Sequence, residues 1–344
     1  METIRLGRTE LQVTKTAFGA LPVQRRTLTE GATILRRAYE GGINFFDTAR
    51  AYSDSEEKLG LAFTPAMREK IVIATKSGAG DGTRLRQDLE TSLRLMKTDY
   101  IDIYQLHNPA VVPRPGGADG RYDELLAMKT EGKIRHISLT NHRRPVAIEA
   151  VESGLYDTLQ FPFSLLAGPE DYELVELCKK HDVGFIAMKA LSGGLITNAR
   201  TAFAFMQQYD NVVPIWGVQH MHELEEFLTL AAEPPVLDDD MRAAIAADKE
   251  ALFGDFCRGC GYCMPCPAGI DLSTAARVYF LVTRSPYKRL ISKESQANLH
   301  KVEDCIHCGA CKTRCPYGLD TEVLARKQYD LYREFIAAHA DEVE

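Results

Sequence analysis

Short runs rich in β-branched and aromatic residues alternate, along the first two thirds of the chain, with stretches whose apolar positions recur every three or four residues. The runs are Thr16–Ala20, Ile43–Asp47, Ile71–Lys76, Tyr100–His107, Ile134–Asn141, Thr158–Phe163, Gly184–Met188 and Val212–Gly217, and each reads as a strand. Between them, segments such as Arg84–Met96, Tyr122–Thr130, Pro145–Ser153 and Glu170–His181 carry helical spacing. Several strands are apolar throughout, the pattern of parallel strands covered by helices on one face and packed inside on the other. Eight βα units in roughly 230 residues have the size and rhythm of a TIM (β/α)8 barrel.

The pattern changes at either end. Ile4–Lys15 reads as a β-hairpin around Gly7-Arg8 that would plug the N-terminal end of the barrel. Near Ala232–Asp240 the sequence AEPPVLDDD breaks the helical spacing and caps a new helix, Met241–Leu252. The expected organisation is therefore a barrel over residues 1–236 and, over 237–344, a linker helix with a small, mainly α-helical second domain. Helical spacing returns there in Leu272–Thr283 and Thr321–Ala338.

Cysteine gives that second domain its chemistry. Eight of the nine cysteines fall into two runs, Cys257-x2-Cys260-x2-Cys263-x2-Cys266-Pro267 and Cys305-x2-Cys308-x2-Cys311-x3-Cys315-Pro316. The second has the spacing of a bacterial ferredoxin, and the first is one residue shorter between its last two cysteines. Three thiolates on a tight loop ligate one cubane, and the proline-linked fourth serves the other cluster. The implied cofactors are two 4Fe-4S clusters in a ferredoxin-like fold, helical because 38 residues separate Cys266 from Cys305. Structural zinc calls for four ligands from two pairs, and disulfides for an oxidising compartment. Cys178 stands alone on a helix and reads as a small buried apolar residue.

The chain's 344 residues, 45% hydrophobic and 26% charged, suit a large and a small globular domain. A net charge of −7 argues against nucleic acid as a partner, and no apolar stretch is long enough to span a membrane. Met1–Glu10 carries no apolar signal segment, so a cytoplasmic location is expected. The basic stretch Arg284–Lys293 is open between a docking site for an acidic redox partner and a solvated helix face.

Reactive groups of such barrels gather at the C-terminal ends of the strands. Asp47 ends the second strand with Tyr52 in the loop beyond it, Lys76 ends the third and His107 the fourth. The segment Gly41-Gly42-Ile43-Asn44-Phe45-Phe46-Asp47-Thr48-Ala49, with Tyr52 and Ser55-Glu56-x2-Leu59-Gly60, resembles the aldo–keto reductase superfamily. So do Thr75-Lys76, Asp102–His107 and Gly132-Lys133-Ile134-Arg135. The cysteine module is similar to the ferredoxin-type extension of one branch of that family.

The resemblance implies a catalytic tetrad of Asp47, Tyr52, Lys76 and His107. A free tyrosine, with pKa near ~10, exchanges protons reluctantly at neutral pH, and a neighbouring ammonium held by a carboxylate lowers that value. Tyr52 would be the general acid, tuned by Lys76 with Asp47 behind it, while His107 orients the carbonyl oxygen. The plainer alternative is a structural Asp–Lys ion pair. The resemblance also places a nicotinamide against Thr140, Asn141, Gln160 and Met188, and its phosphates near Gly217 and Gln219. Trp216–Glu223 holds no Lys or Arg for a 2′-phosphate, and Glu223 would repel one, leaving NADH, NADPH or no nicotinamide open. His220 and His222 are open between weak phosphate contacts and surface residues without special role.

Clusters move single electrons, whereas a nicotinamide moves a hydride. Three readings follow: a carbonyl/alcohol oxidoreductase whose clusters serve structure, regulation or a redox protein partner; cluster-fed one-electron reduction of substrate without nicotinamide; or an electron-carrying subunit with a scaffold barrel. The substrate is a small molecule in the first two, and Asn108–Gly120, rich in Pro and Gly, helps shape its pocket.

Overall fold

The computed structural model describes residues 1–252, 256–284 and 287–342. The chain divides into two compact units: Met1–Ala190 with Ala199–Asp238, and Leu191–Asn198 with Asp239–Glu344.

The first unit opens with β1 (Thr3–Arg5) and β2 (Gln12–Thr14), antiparallel in the register Ile4↔Val13. There follow β3 (Ala17–Gly19), α1 (Leu28–Glu40), β4 (Phe45–Asp47), α2 (Ser55–Ala62), α3 (Pro65–Arg68), β5 (Val72–Ser77) and α4 (Gly82–Met96). Next come β6 (Ile101–His107), α5 (Arg121–Thr130), β7 (Ile134–Thr140), α6 (Arg144–Glu152), β8 (Thr158–Pro162) and α7 (Pro169–Lys180). The unit ends with β9 (Gly184–Met188), α8 (Ala199–Gln207), β10 (Val212–Gly217) and α9 (Met221–Ala232). Strands β3 to β10 form a closed parallel barrel in sequence order, β10 returning to β3. All eight strand expectations are met.

Local chemistry sets these elements. Thr27 and Glu30 cap α1 reciprocally, with Glu30 N–H donating to Thr27 Oγ1 at 3.3 Å and Thr27 N–H to Glu30 Oε2 at 3.1 Å. The helix then buries Ala32, Ile34, Leu35 and Ala38, one stripe at helical spacing. Asp81 caps α4 by accepting from Arg84 N–H at 2.9 Å. The β1–β2 hairpin supplies the barrel floor: Leu6 and Val13 pack with Ala17, Phe45, Ile103 and Val213. Gly7, at φ 53°, runs so close to the Gly184 backbone that any side chain would collide with it.

The second unit contains α10 (Asp239–Leu252), α11 (Leu272–Ala275), α12 (Val278–Arg284), α13 (Lys293–His300), α14 (Ala310–Arg314) and α15 (Thr321–Ala338). Its core joins Leu272, Ala276, Val282, Leu324, Tyr329 and Tyr332 to the sulfur-bearing residues Cys257 and Cys263. The single helix expected over Leu272–Thr283 is two, broken at Ala276–Arg277. Arg277 N–H reaches back only three residues, to Thr274 O at 3.1 Å, and its Nε donates to Ser273 O at 3.0 Å, closing the first helix early. Leu272, Ala276 and Val282 stay buried across the break, so the apolar spacing carries no mark of it. Among the described residues no helix is long and apolar enough to cross a membrane.

Candidate active site

Asp47 closes β4, Lys76 lies one residue from the end of β5, and His107 closes β6. Thr140, Met188 and Gly217 end β7, β9 and β10, and Gln160 lies within β8. Successive parallel strands thus present these residues at one mouth. Lys76 Nζ donates to both Asp47 oxygens at 2.6 Å, with the two residues 1% and 2% exposed. Gln105 Nε2 and Gln160 Nε2 donate to the same carboxylate at 3.1 and 3.3 Å, and Gln160 Oε1 accepts from Lys76 at 3.3 Å. Burial pushes Asp47 above the usual carboxylate range and Lys76 below the usual lysine range, each opposed by attraction to the other.

Tyr52 sits over this pair, its ring centroid 5.5 Å from Lys76 Nζ and 6.0 Å edge-on from the His107 ring. Burial, reinforced by the Lys76 charge, lowers the His107 pKa to about 4, so its imidazole is neutral at pH 7. The four residues of the expected tetrad are brought together.

The Tyr52 loop is pinned by residues that the sequence reading gave no role. Arg50 N–H donates to Lys76 O at 2.9 Å, and Ser55 N–H to Tyr52 O at 2.8 Å. Glu56, 1% exposed, accepts from Thr75 Oγ1 and Ser92 Oγ at 2.7 Å each and pairs with Arg50. Glu56 stood in the quoted Ser55–Gly60 motif; its partners Arg50 and Ser92 carry no sequence signal, because they meet it only in the folded barrel.

The expected nicotinamide contacts are partly engaged within the chain. Asn141 Nδ2 donates to Pro109 O at 2.9 Å, and its Oδ1 accepts from the N–H groups of His142 and Arg143 at 2.9 and 2.8 Å. Among the described residues Asn141 and Gln160 each spend one amide hydrogen, so one on each could meet a carboxamide oxygen. Thr140 Oγ1 lies 3.9 Å from Met188 Sδ. Gln105 Oε1 is buried with no hydrogen-bond partner among the described residues. Donor capacity at the mouth therefore fits a carboxamide. At the expected phosphate end Glu223 folds back onto the start of α9, accepting from the N–H groups of Gln219 and His220 at 2.7 and 2.9 Å. Arg25 Nη1 donates to Gln219 Oε1 at 3.3 Å, a cation the sequence reading missed. His220 and His222 stack on one another, ring centroids 5.4 Å apart.

In the second unit, burial raises the Cys257 thiol, and Cys260 and Cys315 push the same way. Cys263 is raised to about 12 by burial, with Cys257, Cys260 and Cys315 contributing. Cys315 acts on both thiols and so lies near the first run. Soft thiolates gathered this closely repel one another and are relieved by a shared cation, so the donor set fits an iron–sulfur cluster. In the second run Cys311 is raised by burial, with Cys305 contributing, and Cys308 is exposed. Cys178 is buried and raised to about 12, in keeping with an inert core residue. Of the basic stretch Arg284–Lys293, residues 285–286 and the Arg284 side chain lie outside the described residues.

Residues 17–204 match the model of the aldo/keto reductase family, and residues 256–320 that of the 4Fe-4S dicluster domain. The 6-dehydroglucose reductase of Novosphingobium aromaticivorans is 29% identical over 278 residues, covering 72% of this chain and 89% of that protein. The NADH-specific methylglyoxal reductase of Escherichia coli is 29% identical over 231 residues, 58% of this chain and 71% of that protein. The aldo-keto reductase AKR11C1 from Bacillus halodurans, in its holo form, superposes with a TM-score of 0.63 at 22% identity, covering 72% of this chain and 96% of its own. An aldo-keto reductase from Klebsiella pneumoniae in complex with NADPH gives 0.62 at 20% identity, covering 72% and 94%. At those identities the two structures speak for the fold alone.

Proposed function

The chain belongs to the aldo/keto reductase family and carries a 4Fe-4S dicluster domain, and from that premise we propose that it interconverts a small carbonyl compound and its alcohol, with Tyr52 exchanging the proton. One observation carries the reading: the Lys76–Asp47 pair, buried and doubly bonded, lies directly beneath the Tyr52 ring. A positive charge fixed there favours the phenolate and brings the Tyr52 hydroxyl toward the range useful at neutral pH. Asp47 holds the ammonium in place, and Gln105 and Gln160 hold Asp47. His107, neutral, donates a ring N–H to the substrate oxygen and fixes its approach. Arg50 and Glu56 keep the Tyr52 loop from swinging away.

A nicotinamide bound at the mouth supplies the hydride. Thr140, Asn141 and Gln160 would hold its carboxamide, Met188 would lie against the ring, and Gly217 and Gln219 would meet the phosphates. Glu223 keeps a carboxylate at the start of α9 beside Gln219, and a carboxylate there would repel a 2′-phosphate, which supports NADH over NADPH. The name of the Escherichia coli relative is in keeping with this.

Clusters supply and accept single electrons. Cys257, Cys260, Cys263 and Cys315 would hold one; Cys305, Cys308, Cys311 and Cys266 the other; a redox protein would be their partner. The intact tetrad supports turnover over a scaffold role, since a docking surface needs no tyrosine above a buried lysine.

Tyr52→Phe tests the reading. Carbonyl reduction should fall ~10²- to 10⁴-fold, with nicotinamide affinity changed less than about twofold. Unchanged turnover would refute it.

A further inference from the structure

Arg277 occupies the break between α11 and α12, and its guanidinium fills the space that a side chain at Gly259 or Gly193 would need. A methyl group at Gly259 would stand 2.5 Å from Arg277 Cζ, and one at Gly193 would stand 2.8 Å from Nη1. Both glycines have left-handed φ, 58° and 70°, so their open faces are set by the backbone. Nε is fixed to Ser273 O at 3.0 Å. Gly259 lies between Cys257 and Cys260 and donates its N–H to Cys257 Sγ at 3.4 Å. A planar guanidinium beside two side-chain-free residues keeps its place more firmly than a compact, strongly hydrated ammonium would.

We propose that Arg277 is a tuning residue of the first cluster: a fixed positive charge beside Cys257 that raises the cluster's reduction potential. The proposal rests on the reading that Cys257, Cys260, Cys263 and Cys315 hold a 4Fe-4S cluster. Reduction adds one electron to the cluster, and a neighbouring cation stabilises the more negative state. Backbone N–H groups and charge near the sulfurs are recognised determinants of such potentials. The same guanidinium lies beside Gly193, in the Leu191–Asn198 segment of the same compact unit.

The test is an anaerobic, dye-mediated dithionite titration of the full chain, followed by electron paramagnetic resonance, with iron and acid-labile sulfide counted on every sample. In Arg277→Gln one of two midpoints should fall, with the oxidised-to-reduced ratio at fixed potential shifting about tenfold, ~59 mV for a one-electron couple. The other midpoint should hold. Arg277→Lys, which keeps the charge, should shift less than half as far. Should Arg277→Gln fail to retain iron, Arg277→Met carries the comparison by filling the same space with an apolar chain. Unmoved midpoints in iron-replete neutral variants, or an equal shift with lysine, would overturn the proposal. Wild-type protein without iron and sulfide would overturn the cluster reading itself.

Discussion

Asp47→Asn and Lys76→Met remove opposite halves of one buried pair, and their costs should respond to pH in opposite directions. With both residues almost fully enclosed, loss of either partner strands the other charge, a cost of about 3–5 kcal/mol at neutral pH. In Asp47→Asn the stranded group is Lys76, whose pKa burial already holds below the usual range. Between that value and the unfolded ~10.4, the unfolded chain binds more protons, so stability rises with pH. In Lys76→Met the stranded group is Asp47, which burial pushes up. Between the unfolded ~3.9 and the raised value the folded state binds more protons, so stability falls as pH rises. The single tryptophan, Trp216, ends buried in β10, stacked between Phe203 and Phe227, and reports on the barrel. Urea unfolding of the barrel, followed by Trp216 emission from pH 6 to 9, should therefore give slopes of opposite sign for the two variants. Parallel slopes, or costs below about 1 kcal/mol, would refute a charged pair at this site.

Two further outcomes follow from the same geometry. His107, with a folded pKa of about 4 against ~6.5 unfolded, leaves the unfolded chain binding more protons between those values, so its contribution to stability is lost as pH falls through that window. In kcat/KM the corresponding inflection should lie near pH 4; an inflection near 6.5 that His107→Asn abolishes would contradict a neutral imidazole. Glu223→Gln removes the charge at the start of α9 and should raise NADPH affinity relative to NADH by about tenfold, measured by equilibrium titration; an unchanged ratio would show that Glu223 does not set nucleotide choice.

The barrel was legible because parallel strands are covered on both faces. Runs such as Val72–Ser77 are therefore buried at every position, and turns bound them sharply. The resemblance implied the tetrad, and strand order accounts for part of it by placing Asp47, Lys76 and His107 on neighbouring strands at one end. The two cysteine runs announced their chemistry by spacing. What escaped were choices made only by folding. Gln160 and Asn141 spend part of their hydrogen-bonding on Asp47, Lys76 and backbone groups, and Glu223 turns inward to cap a helix, neither of which residue type or position reveals. The break at Arg277 was hidden because the apolar positions keep their spacing through it.

Hydride chemistry in the barrel depends on nicotinamide binding beside Tyr52. An equilibrium titration of anaerobically purified, cluster-replete protein with NADH and then NADPH measures it. Saturable binding of NADH, with NADPH weaker, is the predicted result. Binding of neither would contradict hydride chemistry in the barrel and leave the clusters as the only source of electrons for the site.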